Sequence, residues 1–202
     1  VFLNAGFMVT GFLDQAPIGK LLTNMECNAT SAVNVSHYFV KKLISSKTTG
    51  CFVFTSSVAG FIPTPFAAMY ASTKAFVSQY AACMHIEVKS LGIDVCAIHP
   101  SPVASNFYNN LDHKVDLIEA AAKNAVAPSD ITDDIFRSIG TGPTARGVIL
   151  ELWRGVREWE LSLFRTISLQ SCLPCIQCDR SLSITCMYSF SRIASVQVCL
   201  VP

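Results

Sequence analysis

Short apolar runs that favour β-strands alternate with long helical patterns, and this alternation most constrains the fold of the chain. Residues 51–55 and 93–98 are apolar and rich in β-branched or aromatic residues, which is typical of buried parallel strands. Residues 1–4 predict a further short strand. The apolar spacing predicts helices over about residues 21–46 and 67–90. Strands and helices in this order predict βαβ units, and therefore an α/β fold with a parallel sheet.

The same patterns place the remaining segments. Glycine and proline residues predict loops over residues 10–20 and 56–65. A proline followed by capping residues predicts a helix over 128–139, and residues 147–152 form a candidate last strand. We therefore expect one α/β domain over residues 1–152. In residues 153–202, an amphipathic segment (153–167) precedes a Cys-rich tail. That segment is expected to cover a cleft or a subunit surface, with a membrane surface as the alternative. We interpret the tail as sequence read past a true end or splice site.

Composition excludes some partners. The formal net charge is +1 and no basic stripe is present, which argues against nucleic acid. Four of the nine cysteines (Cys27, Cys51, Cys83 and Cys96) lie inside apolar patterns, which predicts buried thiols. Such thiols favour a reducing compartment, either the cytoplasm or the surface of the endoplasmic reticulum.

Metal ligation is weakly indicated. Cys172, Cys175 and Cys178 have a suggestive spacing, but no histidine or fourth ligand follows at a zinc-like distance. A metal-binding interaction module built on this tail is a distant alternative, and no metal site is predicted. The four histidines have no metal-ligand spacing and are predicted to be structural: His37, His85, His99 and His113.

Polar residues follow each predicted strand directly. Asn4 ends the first strand, Ser56 and Ser57 follow the second, and residues 99–105 follow the third. Parallel sheets bind ligands at the carboxyl ends of their strands. A single site at this edge of the sheet is therefore expected.

Tyr70 and Lys74 supply candidate chemistry for that site. They are four residues apart on a predicted helix, so they project from the same face. An ammonium beside a phenol favours the phenolate, which predicts a lowered pKa for Tyr70. Such a phenol would act as a general acid or base on an alcohol or carbonyl.

These residues also occur in a family order. Leu3-Asn4-Ala5-Gly6, Asn28 on a helix, Ser57 after a strand, Tyr70-x-x-x-Lys74 and residues 100–105 resemble the short-chain dehydrogenase/reductase family. The resemblance covers roughly residues 1–107 and implies a Rossmann-like, doubly wound parallel sheet that lacks its first βαβ units. It also implies an oxidoreductase that interconverts an alcohol and a ketone or aldehyde with NADP or NAD.

The resemblance assigns roles to individual residues. Tyr70 would be the acid or base, Lys74 would lower the Tyr70 pKa and bind the nicotinamide ribose, and Ser57 would hold the substrate oxygen. Asn28 would anchor a water in a proton relay. The remaining implied coenzyme contacts are Asn4, Ala5, Gly6, Pro100, Ser101, Val103 and Ser105.

Departures from the family pattern are also visible. The glycine-rich phosphate loop and the residue that selects NAD or NADP would precede Val1, so the chain resembles an N-terminally truncated fragment. Ser101 replaces the usual glycine, and Ser105 replaces the commoner threonine. The alternative interpretation is a non-catalytic fragment whose helices, especially residues 67–90, act only in subunit association.

The substrate class rests on position and analogy. Seven residues are expected to line an apolar cleft: Phe61, Ile62, Pro63, Pro65, Phe66, Phe107 and Tyr108. They imply an apolar ketone or alcohol, and the run Ala75-Phe76-Val77 resembles members that act on steroids or fatty-acyl chains. A homo-oligomer is expected for the full-length protein. The apolar stripe on the second long helix is expected to be core or subunit interface: Phe76, Val77, Tyr80, Cys83 and Met84.

Overall fold

Three parallel strands form the centre of the computed structural model, which describes residues 1–109, 111 and 113–140. The strands are β1 (Phe2–Leu3), β2 (Gly50–Thr55) and β3 (Ile93–Ile98), in the order β1-β2-β3. Both neighbouring pairs are parallel. The predicted parallel sheet is thereby confirmed, whereas the predictions for residues 141–202, including the last strand, the domain boundary and the tail, lie outside the described residues.

A long helical region joins β1 to β2. It consists of α1 (Ile18–Met25), a π-helical segment (Glu26–Thr30) and α2 (Ser31–Ser46). The helix begins at Ile18, so the loop predicted through residue 20 is wrong in its last three residues. Pro17 precedes the first helical residue with φ −58°. A proline restricts φ to a helix-compatible value, and this favours an earlier start than the apolar spacing suggested.

The second long helix is α3 (Ala68–Val88), as predicted, followed by a 3₁₀ turn (Lys89–Leu91) and by Gly92 at φ +73°. Short 3₁₀ turns also occur at Val58–Gly60 and Asn106–Tyr108. Two further helices follow β3, α4 (Asp116–Lys123) and α5 (Pro128–Ser138). The helix predicted from residue 128 is confirmed. Helix α4 was not predicted, because its eight residues are too few to show a clear apolar period.

Helices cover both faces of the sheet. On one face, Phe52, Phe54 and Val95 pack against α3 through Val77 and Met84. The other face carries a smaller cluster that includes α5: Val53, Cys96, Ile98, Cys51, Ile135 and Ile139. This two-sided cover agrees with the predicted doubly wound arrangement.

One prediction of burial needs correction, that for Cys83. Cys96 is buried and Cys27 and Cys51 are half-buried, but Cys83 is exposed. In the α3 stripe, Val77 and Met84 are buried in the core, whereas Phe76 is 40% exposed. Successive helical residues are about 100° apart, so Phe76 and Cys83 turn away from the sheet beside neighbours that face it.

The histidines also divide. His85 and His99 are buried, and His37 and His113 lie at the surface. None of the helices in the described part of the chain has the length and apolar composition needed to cross a membrane.

Candidate active site

The carboxyl ends of the strands bring the predicted site residues to one edge of the sheet. Residues 4–6 follow β1, residues 56–57 follow β2, and residues 99–105 follow β3. Tyr70 and Lys74 lie in the first two turns of α3, which packs against both β2 and β3.

Tyr70 is a buried phenol beside a serine hydroxyl. Its side chain is 8% exposed, and the Ser57 hydroxyl hydrogen-bonds to it. Burial raises the pKa of Tyr70 to about 12, and the bond from Ser57 opposes this rise only in part. Ser57 also accepts a hydrogen bond from the Ala59 amide at 3.2 Å, which fixes its hydroxyl at the start of the turn.

The predicted lowering of the Tyr70 pKa by Lys74 is wrong for this structure. The Lys74 Nζ lies 5.6 Å from the centre of the Tyr70 ring. The ammonium therefore faces the π-system, where its effect on the hydroxyl proton is weaker than that of burial.

Lys74 is a buried cation whose ammonium makes one hydrogen bond among the described residues. Its residue is 4% exposed, and Nζ donates a hydrogen bond to the Thr55 carbonyl at 2.7 Å. Burial lowers the pKa of Lys74 to about 8. An ammonium has three N–H groups, so this one bond leaves capacity for a further hydroxyl ligand.

Asn28 ties the turn after β1 to α3. It lies in the π-helical segment, where its Nδ2 donates to the Phe7 carbonyl at 2.9 Å and to Thr73 Oγ1 at 3.0 Å. Its Oδ1 accepts a hydrogen bond from the Phe7 amide at 3.0 Å. Thr73 in turn donates to the Tyr70 carbonyl at 2.7 Å, so Asn28 is coupled to the helix that carries the phenol.

Asn24, which was not among the predicted site residues, makes a second such connection. It is fully buried and donates to the Phe7 carbonyl at 2.6 Å. The available signal was its spacing of four residues from Asn28, which puts both amides on one helix face.

The turn containing Gly6 comes close to both site helices. A Cβ atom at Gly6 would stand 3.1 Å from Asn28 Oδ1 and 3.4 Å from Lys74 Nζ. Asn4 and Ala5 are exposed beside it. A side chain at position 6 would therefore crowd the amide and the ammonium.

The segment after β3 is held by backbone bonds. The Pro100 carbonyl accepts from the Val58 amide at 3.3 Å, and Val103 forms a parallel bridge with Val126. Ser101 is half-buried, and the exposed Ser105 accepts a bond from the Phe107 amide at 3.3 Å, which caps a short 3₁₀ turn.

The predicted apolar lining divides into two groups. The Phe107 ring lies 5.7 Å from the Tyr70 ring and 5.3 Å from the Tyr108 ring, so these two residues do form a wall beside the phenol. Burial and the nearby Tyr70 raise the pKa of Tyr108. By contrast, Phe61 packs on His99 at 4.5 Å and Phe66 packs on Phe12 at 5.0 Å.

A polar network behind the predicted residues was also missed. Ser56 and Ser78 both donate to the Lys74 carbonyl, at 2.7 Å and 2.8 Å. His99, predicted to be only structural, contacts Ser78 through Nε2 at 2.9 Å. The available signals were the position of Ser78 one turn after Lys74 and of His99 at the end of β3.

Comparison with known proteins identifies the family. The sequence pattern of the family described as short chain dehydrogenase matches residues 1–116. The chain belongs to this family. The chain spans about half the length of the first curated relatives that it matches.

Individual relatives are distant in sequence. Dehydrogenase/reductase SDR family member 7B of Danio rerio is 27% identical over 143 residues, which is 64% of this chain and 46% of the relative. Estradiol 17-beta-dehydrogenase 2 of Rattus norvegicus is 36% identical over 88 residues, covering 44% of this chain and 23% of the relative. A solved 4-hydroxyisoleucine dehydrogenase in complex with NADH and succinate is 21% identical, with a TM-score of 0.58 over 66% of this chain and 57% of that chain. This structure supports the Rossmann-like fold of the family.

Proposed function

We propose that the protein is an NAD(P)-dependent oxidoreductase that interconverts an alcohol and a ketone or aldehyde on an apolar substrate. The observation that carries this proposal is the buried Tyr70 phenol, which has the Ser57 hydroxyl at its oxygen and the Lys74 ammonium over its ring. A proton donor, a neutral hydrogen-bond donor and a cation are thus placed together at the carboxyl edge of a parallel sheet.

The residues present fit a nicotinamide coenzyme. Lys74 keeps N–H donors beyond its bond to Thr55, which suits the hydroxyls of a ribose. The absence of a side chain at Gly6 preserves space between Asn28 and Lys74. Asn4 and Ala5, together with the segment containing Pro100, Ser101, Val103 and Ser105, would complete the binding surface. When bound, the coenzyme supplies the hydride, because no amino-acid side chain can do so.

The proton step follows from the state of Tyr70. With a pKa of about 12, the phenol keeps its proton at neutral pH. In the reductive direction, the carbonyl carbon gains a hydride, and Tyr70 Oη gives its proton to the substrate oxygen as that oxygen becomes negative. Ser57 donates to the same oxygen and stabilises the developing charge. Oxidation of an alcohol needs the phenolate instead, so its rate should rise with pH.

The apolar wall supports the substrate class. Phe107 and Tyr108 stand beside the phenol, and Met8, Ala67 and Ile118 pack with Tyr70 in one buried cluster. Such a surface favours an apolar body next to the reacting carbonyl. The relative from rat is named as an estradiol dehydrogenase, which agrees with a large apolar substrate.

A second candidate function is subunit association without catalysis. Helices α2 and α3 expose large apolar residues, including Tyr38 at 60%, Phe76 at 40% and Ile86 at 77%. These residues suit a homo-oligomer whether or not the chain is catalytic. Loss of coenzyme binding with retained self-association would favour this candidate.

The test of the proposed function is ketone reduction by the full-length protein with NADPH and NADH, across ketones of increasing chain length. We expect the wild type to reduce ketones with at least one of the two coenzymes. In Tyr70→Phe this turnover should fall at least roughly 1000-fold, because the substitution removes the hydroxyl that donates the proton. Binding of NADPH and NADH to Tyr70→Phe should stay close to that of the wild type. Equal turnover in the two proteins would contradict the proposal.

A further inference from the structure

Three side chains join the ends of β2 and β3 to the backbone of Lys74: Ser56 and His99 are buried, and Ser78 is half-buried. Ser56 and Ser78 contact each other at 2.7 Å, and both donate to the Lys74 carbonyl. His99 contacts Ser78 through Nε2 at 2.9 Å. We call this group the Ser56–Ser78–His99 network. It lies outside the set of residues that the sequence assigned to chemistry.

A count of hydrogens favours one neutral form of His99. The network has four short contacts: two to the Lys74 carbonyl, one between the serines and one between Ser78 and His99. The two serine hydroxyls supply only two protons, so a third donor can satisfy one more of these contacts. A proton on His99 Nε2 provides it and leaves Nδ1 as an acceptor. The opposite tautomer would bury an Nδ1–H group that has no acceptor among the described residues. The Nε2–H form therefore fits the network better.

The surroundings of His99 keep it neutral. The residue is 1% exposed, and the Phe61 ring covers it at a centroid distance of 4.5 Å. Burial lowers the pKa of His99 to about 4. A second proton would also add an N–H group at Nδ1, where no described acceptor stands. The ring thus serves as a fixed donor at neutral pH.

We propose that His99 is a positioning residue for the reaction, which holds Lys74 and the ends of β2 and β3 in register through its bond to Ser78. This inference rests on the proposed function. Ser56 is adjacent to Ser57, His99 is adjacent to Pro100, and the shared acceptor is the backbone of Lys74. The hydrogen bonds of this network therefore hold three parts of the candidate site together: Ser57, Pro100 and Lys74. A small displacement of reacting groups is sufficient to slow an enzyme strongly.

A pair of variants separates positioning from folding. His99→Leu removes the donor, whereas His99→Gln can keep an N–H group within reach of Ser78. In the full-length protein, we expect kcat for ketone reduction to fall roughly 10- to 100-fold in His99→Leu. The KM for the ketone should stay within about twofold, and His99→Gln should recover most of the lost kcat. Unchanged kcat in a folded His99→Leu protein would overturn the proposal, as would a folded His99→Gln protein no better than His99→Leu.

If His99→Leu does not fold, Ser78→Ala removes the partner of His99 and also one bond to the Lys74 carbonyl, so we expect at least a roughly 10-fold loss of kcat, and an unchanged kcat would overturn the proposal. Tyr70→Phe is assayed in parallel: if it retains the wild-type turnover, the proposed function fails, whereas a positioning failure leaves the Tyr70 effect intact. Nitrogen NMR of histidine-labelled full-length protein tests the network without turnover. We expect a proton on His99 Nε2 and none on Nδ1 at pH 7, and the opposite tautomer or an imidazolium would overturn the assignment.

Discussion

The backbone carbonyl of Lys74 and its side-chain ammonium differ in how many hydrogen bonds they make among the described residues. Its carbonyl accepts two hydrogen bonds, from Ser56 and Ser78. Its ammonium makes one described hydrogen bond, to Thr55, and otherwise lies over the ring of Tyr70. The two environments differ although they belong to a single residue.

The difference shows where the fold is fixed and where chemistry is available. Neutral, hydrogen-bonded hydroxyls hold the Lys74 backbone in place and cost less free energy to bury than a charge does. An ammonium costs more free energy to bury, and this burial lowers the pKa of Lys74 to about 8. Perturbed groups of this kind are concentrated at functional sites. The side chain of Lys74 therefore lies among the groups proposed to react, which we call the reacting side. Its backbone carbonyl lies among the groups that hold the fold in place, which we call the supporting side.

The two adjacent serines test this division most strongly. Ser57→Ala removes the hydroxyl that hydrogen-bonds to Tyr70, and we expect kcat for ketone reduction to fall roughly 100-fold. Ser56→Ala is the matched control, because it removes one of the two hydroxyls at the Lys74 carbonyl, and we expect roughly a 10-fold loss. Steady-state kinetics on both variants measure the ratio. A larger loss of kcat in Ser56→Ala than in Ser57→Ala would contradict the division into a reacting and a supporting side.

The pH dependence of stability tests the side-chain environment. The pKa of Lys74 is about 8 in the folded protein and 10.5 ordinarily, so between these values the unfolded chain holds a proton that the folded chain has lost. Stability should therefore rise with pH in this window, by about 2 kcal/mol between pH 8 and pH 10. Urea denaturation of the wild type and of Lys74→Met measures this contribution. The variant should lack the rise, and equal slopes in the two proteins would contradict the assignment.

A pair of glycines tests the packing around the Lys74 backbone. A Cβ atom at Gly60 would stand 3.0 Å from the Lys74 carbonyl carbon and from the Ala75 amide nitrogen. We expect Gly60→Ala to lower the free energy of unfolding by at least about 1 kcal/mol. Gly19→Ala is the control, because its Cβ would meet no atom within 4 Å and lies in helix α1. It should leave stability unchanged or raise it by up to about 1 kcal/mol. Chemical denaturation measures both.

Much of the fold could be predicted from the chain. The strands β2 and β3 are short apolar runs, and α3 has a long apolar period that ends at a glycine. These signals are local, so the sequence carries them plainly. The start of α1 and the whole of α4 could not be placed in this way. Tertiary packing stabilises such short helical turns more than their own apolar pattern does.

The proximity of the candidate site residues could be predicted from the sequence, whereas the pKa of Tyr70 could not. Asn28, Ser57, Tyr70 and Lys74 follow a family order, and the structure brings the last three together. The direction of the Tyr70 pKa was wrong, because burial and the position of an ammonium over a ring depend on the folded chain. The contact between Ser78 and His99 spans 21 residues, and no local pattern indicates it.

We infer that Tyr70 enters the reaction as a protonated phenol. Carbon NMR of the full-length protein, labelled at the tyrosine ring carbon that bears the hydroxyl, measures this directly, with Tyr70→Phe used to assign the resonance. We predict that Tyr70 stays protonated at pH 10, because its pKa is about 12. An ordinary tyrosine is half ionised near pH 10. A Tyr70 resonance that titrates near pH 7 or 8 would show a phenolate and contradict this inference.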